Sequence, residues 1–165
     1  MGVRIVWASK KDPAILTELA DIDVKAGYLP SEQFDYPDEW KKFSKLFDFF
    51  FVVDGDGETI GSIHLGANLR WGNTETPVKC DGCLYVGSIA ILPDYRQNGA
   101  GTAAVEWIIE TAKANMFSCI IANVHATNIA SSNLFRSADF ELYKIIKNYW
   151  HEPDDEDCLV FRLKL

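Results

Sequence analysis

The segment Arg96-Gln97-Asn98-Gly99-Ala100-Gly101-Thr102 is the part of this 165-residue chain whose composition most directly implies a chemistry. A β-branched run containing Ile89, Ala90 and Ile91 enters the turn Leu92-Pro93-Asp94-Tyr95, and a helix starts immediately after the glycines. Backbone N–H groups at a helix N-terminus lack internal acceptors and carry the positive end of the helix dipole. Gly99 and Gly101 remove side chains that would hold a phosphate away from those donors, and Arg96 adds positive charge at the mouth. The predicted product is an anion cradle. A P-loop would end in Gly-Lys-Ser/Thr, whereas Gly101 is followed by Thr102-Ala103. A dinucleotide fingerprint would need a third glycine that Asn98-Gly99-Ala100-Gly101 lacks. The structural alternative is a strand-to-helix turn that binds nothing.

The cysteines offer less. Cys80-Asp81-Gly82-Cys83 is a Cys-x-x-Cys pair, but no second Cys/His pair stands at zinc-site spacing, so no metal is expected. Cys119 falls in an apolar run and reads as core filler, and reduced thiols are expected throughout. Asp54-Gly55-Asp56-Gly57 resembles the start of a calcium loop. Thr59 and Leu65 stand where that loop needs glycine and a bidentate glutamate, so the segment reads as a hairpin turn.

The elements that must carry these residues can be followed along the chain. Val3 to Trp7 reads as a strand, and Asp12-Pro13 caps and starts a helix with the stripe Ile15, Leu16, Leu19, Ile22 and Ala26. A second helix is expected after Pro37, carrying Trp40, Phe43, Leu46 and Phe47. Strands follow at Phe49 to Val53 and Thr59 to Leu65, then a polar connection from Asn68 to Gly82. Leu84 to Ile91 is the strand leading into the glycine loop. The helix after Gly101 buries Ala104, Val105, Ile108, Ile109 and Ala112. Ser118 to Val124 is a strand, Ile129 to Ala138 a helix, and Phe140 to Tyr149 and Cys158 to Leu165 are strands. The expected architecture is α/β (α+β), a mixed, mostly antiparallel sheet of about seven strands flanked by about four helices, in one domain over residues 1–165.

Composition sets limits on partners. With 24 acidic and 16 basic residues the formal charge is −8, which repels nucleic acids and anionic membranes and favours amines or basic peptides. No apolar run reaches membrane-spanning length, and Met1 to Trp7 lacks a secretion signal's apolar region, so a cytoplasmic protein is expected.

The Arg-x-x-Gly-x-Gly pattern after a strand resembles the acetyl-CoA pyrophosphate loop of the GNAT superfamily of N-acetyltransferases. The segment from Val124 to Phe140, with Asn128, Ser131, Leu134-Phe135 and Asp139-Phe140, is similar to the superfamily's second signature, Asn-x-x-Ala/Ser followed by Leu-Tyr and Gly-Phe. Together the two motifs cover most of residues 83–165. The resemblance implies acetyl-CoA as donor and an amine as acceptor, either a small molecule or a peptide N-terminus, with direct attack and no covalent enzyme intermediate. It also implies that the strand carrying Ile89, Ala90 and Ile91 lends backbone groups to pantetheine and that Gln97 to Thr102 wrap the pyrophosphate. Asn128 is implied as helix cap and pantetheine contact. Dimers are frequent in the superfamily, so a homodimer is compatible with it, though no sequence feature requires one.

The sequence departs from the family pattern where chemistry is usually carried. Phe135 aligns with the frequent general-acid tyrosine, leaving water, Ser132 or Tyr143 to protonate the thiolate. Gly87 and Asn123 align with two frequent base positions, and neither takes a proton. In some peptide N-terminal acetyltransferases a tyrosine matching Tyr85 has a base role, which makes Tyr85 the first catalytic candidate. His125 is the second, because imidazole exchanges protons near neutral pH. Arg136 is either a solvated helix residue or a phosphate neighbour, and Asp139 stands where a left-handed residue is expected. The segment from Ile146 to Trp150 and the acidic run after it resemble the peptide-binding loop of protein N-terminal acetyltransferases, including the ribosomal-protein type. Tyr149 and Trp150 would then line the acceptor groove, while Glu152, Asp154, Asp155 and Glu156 attract a cationic amine. The alternative function is a catalytically weak acetyl-CoA-binding sensor or scaffold, with a purely structural domain as a third class.

Overall fold

The computed structural model describes residues 2–9, 12–27, 47–67, 82–150 and 156–165. In chain order the elements are β1 (Arg4–Ala8), α1 (Pro13–Lys25), β2 (Asp48–Val53), β3 (Thr59–Ala67), β4 (Cys83–Ile91), a 3₁₀ turn (Pro93–Tyr95), α2 (Ala100–Ala114), β5 (Cys119–His125), α3 (Ile129–Ser137), β6 (Glu141–Trp150) and β7 (Glu156–Lys164). The sheet has seven strands in the order β1-β2-β3-β4-β5-β7-β6. β4 and β5 pair in parallel, while β1 with β2, β2 with β3, β5 with β7 and β6 with β7 pair antiparallel. This is the mixed, mostly antiparallel sheet expected. Three α-helices stand among the described residues rather than about four. The helix expected after Pro37 and the connection holding Trp71 and Cys80 fall outside the described residues, and Phe47 is buried irregular backbone just before β2.

Two compact units divide the chain, the first being Met1–Gly66 with Gly87–Trp107 and the second Ala67–Val86 with Ile108–Leu165. In the first, Asp12 caps α1 by accepting from the Ala14 N–H at 2.9 Å, and Pro13 occupies the first turn as its missing N–H allows. α1 buries Leu19, Ala20, Ile22 and also Asp23. Phe49, Val52, Ile60 and Ile63 are fully enclosed. The turn from Asp54 is closed by its own carboxylate, which accepts from the N–H groups of Asp56 and Glu58 at 2.9 and 3.0 Å. Among the described residues no cluster of metal-ligating side chains occurs.

In the second unit, Cys83, Cys119, Ile121, Cys158 and Val160 form a buried cluster. Here the expectation of reduced thiols is corrected: Cys83 and Cys119 are joined in a disulfide, and only Cys158 is free among the described residues. The physical reason is register. The two cysteines are direct partners at the start of the parallel β4–β5 ladder, with Cα atoms 4.6 Å apart, inside the range a disulfide spans. The Cys80/Cys83 spacing drew attention to the wrong pair. Asp139 is left-handed at φ 64°, as expected for a residue following α3.

Candidate active site

In the first unit, β4 delivers the chain to Ile91, and the Leu92 N–H donates to Ile60 O at 2.9 Å. After the 3₁₀ turn, Gln97 and Gly99 are both left-handed, at φ 61° and 83°. α2 begins at Ala100, one residue before Gly101 rather than after it, because the left-handed turn at Gly99 has already reset the chain direction. The N–H of Ala103 donates to Gly99 O at 2.9 Å. The N–H groups of Ala100, Gly101 and Thr102 precede that bond and have no intrahelical acceptor, which is the donor set an anion needs. A Cβ at Gly99 would meet nothing within 4 Å, so its glycine answers to backbone conformation and open access.

The Arg96 guanidinium is engaged by two backbone carbonyls. Its Nε donates to Ile91 O at 2.8 Å and its Nη2 to Ala26 O at 2.6 Å. Ala26 is the C-cap of α1, so the guanidinium ties the end of α1 to the end of β4, with its cation at the negative end of the helix. Ala90 and Ile91 are buried and Ile89 is half-buried.

Gly87 is enclosed by Phe47. A Cβ there would stand 3.0 Å from Phe47 Cδ1 and Cζ and closer still to Cε1. His64 lies beside the same aromatic wall, edge-on to Phe49 at 4.8 Å between centroids. Beneath it Asp23 Oδ1 accepts from the Ser62 hydroxyl at 2.5 Å, and Asp23 Oδ2 stands 3.3 Å from His64 Nε2. Burial pushes the Asp23 carboxyl up to about 7, against the Ser62 hydrogen bond, and pushes His64 down to about 3. The spacing alone would read as an ion pair, whereas burial disfavours the charged form of both groups. Nothing in local sequence marks this trio, which depends on α1 packing on β3.

The second unit gathers four residues singled out by sequence. Tyr85, Tyr149 and Trp150 are partly buried and pack on the cysteine-containing cluster. His125, at the end of β5, stacks on the Trp150 indole with centroids 4.1 Å apart and planes 14° from parallel. Tyr149 meets the same indole edge-on at 4.8 Å, and its hydroxyl is pushed up by burial and then by Cys158. His125 Nδ1 lies 2.9 Å from Glu156 Oε2, and Glu156 Oε1 accepts from the Thr127 N–H at 2.6 Å. These bonds, the Thr127 one first, pull the Glu156 carboxyl down to about 2. Glu156 is therefore committed to the His125 corner within β7, a role that sequence reasoning missed when it grouped Glu156 with the acidic loop. Glu152, Asp154 and Asp155 lie outside the described residues.

On α3, Asn128 Oδ1 accepts from the Ser131 N–H at 3.0 Å and caps the helix as expected, leaving its amide Nδ2 as a donor. Phe135 is buried against Phe140 and Phe161 at 5.1 and 6.0 Å. Ser132, one turn earlier, is buried with its hydroxyl unpaired among the described residues. Tyr143 is exposed beneath the Arg162 guanidinium at 3.8 Å, and Arg136 lies over the Phe161 ring at 5.4 Å.

A strand running into a left-handed turn and a bare helix N-terminus presents backbone donors suited to an anion. Residues 16–140 match the family model of the Acetyltransferase (GNAT) family, and the chain belongs to that family. It is 28% identical over 113 residues to an N-alpha-acetyltransferase of Sulfurisphaera tokodaii, covering 64% of each chain. It is 30% identical over 79 residues to a ribosomal-protein alanine N-acetyltransferase of Escherichia coli, covering 47% of this chain and 53% of that one. The matched stretches thus span less than two thirds of either relative. The crystal structure of the ribosomal-protein-S18-alanine N-acetyltransferase from Escherichia coli superposes with a TM-score of 0.72 at 20% identity, over 99% of this chain and 94% of that one. A Bacillus subtilis acetyltransferase in complex with CoA gives a TM-score of 0.72 at 16% identity, over 99% of both chains. At such identities the superpositions show the fold alone.

Proposed function

We propose that this chain is an N-acetyltransferase that moves the acetyl group of acetyl-CoA to the α-amine of a peptide or protein N-terminus. The observation that carries the reading is the donor set after Arg96: left-handed Gln97 and Gly99, then the N–H groups of Ala100, Gly101 and Thr102 at a helix start. That arrangement fits a diphosphate. Gln97 and Asn98 would flank the phosphates and the backbone of Ile89, Ala90 and Ile91 would run beside pantetheine; in the second unit, α3 offers the Asn128 Nδ2 donor and the apolar ring of Phe135. Residues 1–165 act as one catalytic domain, a reading favoured by a family match that crosses both units.

The acceptor is assigned from the relatives, whose names specify N-alpha and ribosomal-protein alanine acetylation. Tyr149 and Trp150 supply an aromatic wall suited to the first residues of a peptide, and the net charge of −8 favours a cationic amine. The reaction is direct: the neutral amine nitrogen bonds to the thioester carbon, the carbon–sulfur bond breaks with its electron pair on sulfur, and the thiolate takes a proton from water. The amine must also lose a proton, for which Tyr85 and His125 are the candidates. With acetyl-CoA as donor the protein works in the cytoplasm. Among the described residues no helix is long and apolar enough to cross a membrane.

Thiol release from acetyl-CoA, followed across peptides with free N-termini and small amines, tests the reading. Release with free peptide N-termini is expected. Binding of acetyl-CoA without release on any acceptor would favour the sensor instead, and no binding would overturn both.

A further inference from the structure

An arginine beside a phosphate loop is usually read as a charge for the phosphate, but the geometry of Arg96 gives it a different task. We infer that Arg96 is a positioning residue: it ties the glycine loop to the C-terminal end of α1, so that acetyl-CoA binding in the loop and order at that helix end are linked. The inference rests on the acetyltransferase reading and deepens it. Every residue it uses belongs to the first unit.

A guanidinium grips a phosphate best with two N–H groups that lie side by side. In Arg96 the side-on pair is already committed within the protein, Nε to Ile91 O at 2.8 Å and Nη2 to Ala26 O at 2.6 Å. Both carbonyls belong to anchored backbone. Ile91 is the buried last residue of β4, and the N–H that follows it, of Leu92, donates to Ile60 O of β3 at 2.9 Å. Ala26 is the C-cap of α1, and its own N–H donates to Ile22 O at 2.8 Å. One turn earlier on that helix, Asp23 accepts from the Ser62 hydroxyl of β3 at 2.5 Å. A cation at a helix C-terminus also complements the helix dipole.

What the tie holds in place is a strained turn. Gln97, the next residue, is left-handed at φ 61°, a conformation that costs free energy in any residue with a side chain. The Arg96 N–H reaches Pro93 O only at 3.2 Å, so the backbone alone fastens the turn weakly. Without the guanidinium bridge the loop relaxes toward other conformations. The N–H groups of Ala100, Gly101 and Thr102 then stand in the binding arrangement for a smaller share of the time, and apparent affinity falls by that share. Lysine keeps the charge but lacks the planar fork that meets both carbonyls. Linkage is reciprocal, so a ligand that holds the loop also steadies the end of α1.

The test measures acetyl-CoA binding by calorimetry for the full chain, R96K and R96A, at a temperature where each is folded. Both variants should raise Kd on the order of 10-fold, while kcat at saturating acetyl-CoA with a peptide acceptor stays within about two-fold. Hydrogen exchange in the unmodified protein gives a readout that needs no variant. The Ala26 and Gly27 N–H groups, bonded to Ile22 O and Val24 O at 2.8 and 2.9 Å, close the last turn of α1. A helix end exchanges by local fraying, which general stabilisation by a ligand does not slow. Saturating acetyl-CoA should nonetheless slow exchange at both amides in the parent, and should not do so in R96A at equal occupancy. R96K binding as tightly as the parent would make Arg96 a plain charge and overturn the inference. So would an unchanged Kd in both variants, a fall in kcat at saturation, or parent amides that exchange alike with and without acetyl-CoA. If the unmodified protein binds no acetyl-CoA, the acetyltransferase reading fails and this one with it.

Discussion

The ring of Phe47 fills the space into which a side chain at Gly87 would project, so packing closes this position of β4 to any larger residue. Substituting Gly87 by Ala should cost about 1–3 kcal/mol from overpacking. Truncating Phe47 should relieve it, so that G87A measured in the F47A background costs much less than G87A alone. Chemical denaturation of the four proteins of that cycle checks the coupling. Additive losses would show that the ring does not set the glycine.

Arg96 braces the loop by joining Ala26 O and Ile91 O. Arg96→Lys keeps the charge but not the fork, so it should lower stability without ligand by about 1 kcal/mol, close to the loss in Arg96→Ala. Hydrogen exchange at the end of α1 should rise in both. A lysine variant that matches the parent in stability and exchange would reduce the residue to a charge.

Asp23 imposes a pH dependence on stability. Its folded carboxyl, at about 7 against an ordinary 3.8, binds its proton more tightly than in the unfolded chain, so this stabilisation is present at low pH and lost as pH rises through that window. His64, lowered from 6.5 to about 3, acts in the opposite sense: its contribution is lost as pH falls. The pair therefore tends to flatten the stability profile in mildly acidic solution. Asp23→Asn removes one side of that balance. Its stability relative to the parent should improve as pH is raised from about 4 to 7, by on the order of 1.4 kcal/mol per unit at most. Urea melts of both proteins at several pH values check this; parallel curves would contradict it.

The Cys83–Cys119 disulfide closes a loop with a sequence separation of 36. Reduction should destabilise the protein by roughly 2–4 kcal/mol, and Cys119→Ser should show the same loss and no further response to reductant. Thermal melts with and without reductant make the comparison. Cys158, buried and pushed up to about 11, should react with thiol reagents only after unfolding.

Sequence legibility followed the range of the interaction. Local devices were readable: Asp12 and Pro13 opening α1, Asn128 capping α3, left-handed Asp139, and the glycine loop with its left-handed turn at Gly99. Period-two patterning placed the strands that carry Tyr85 and His125. What escaped was set by register and layer packing. Cys83 meets Cys119 because two parallel strands begin level with one another. Glu156 reaches His125 because β7 runs back along β5, and Asp23 reaches Ser62 and His64 because α1 lies on β3. Phe47, read by spacing as a helix residue, is a plug over Gly87. None of these follows from spacing along one segment.

The most direct measurement is mass spectrometry of peptides incubated with this protein and acetyl-CoA, using free α-amines and N-terminally blocked controls that keep an internal lysine. One acetyl group on the free N-terminus, an unmodified blocked control, and loss of the product when Gly99 and Gly101 are made bulky are the predicted results. Acetylation only at lysine would contradict the account, as would no acetylated peptide at all or undiminished activity in the glycine variants.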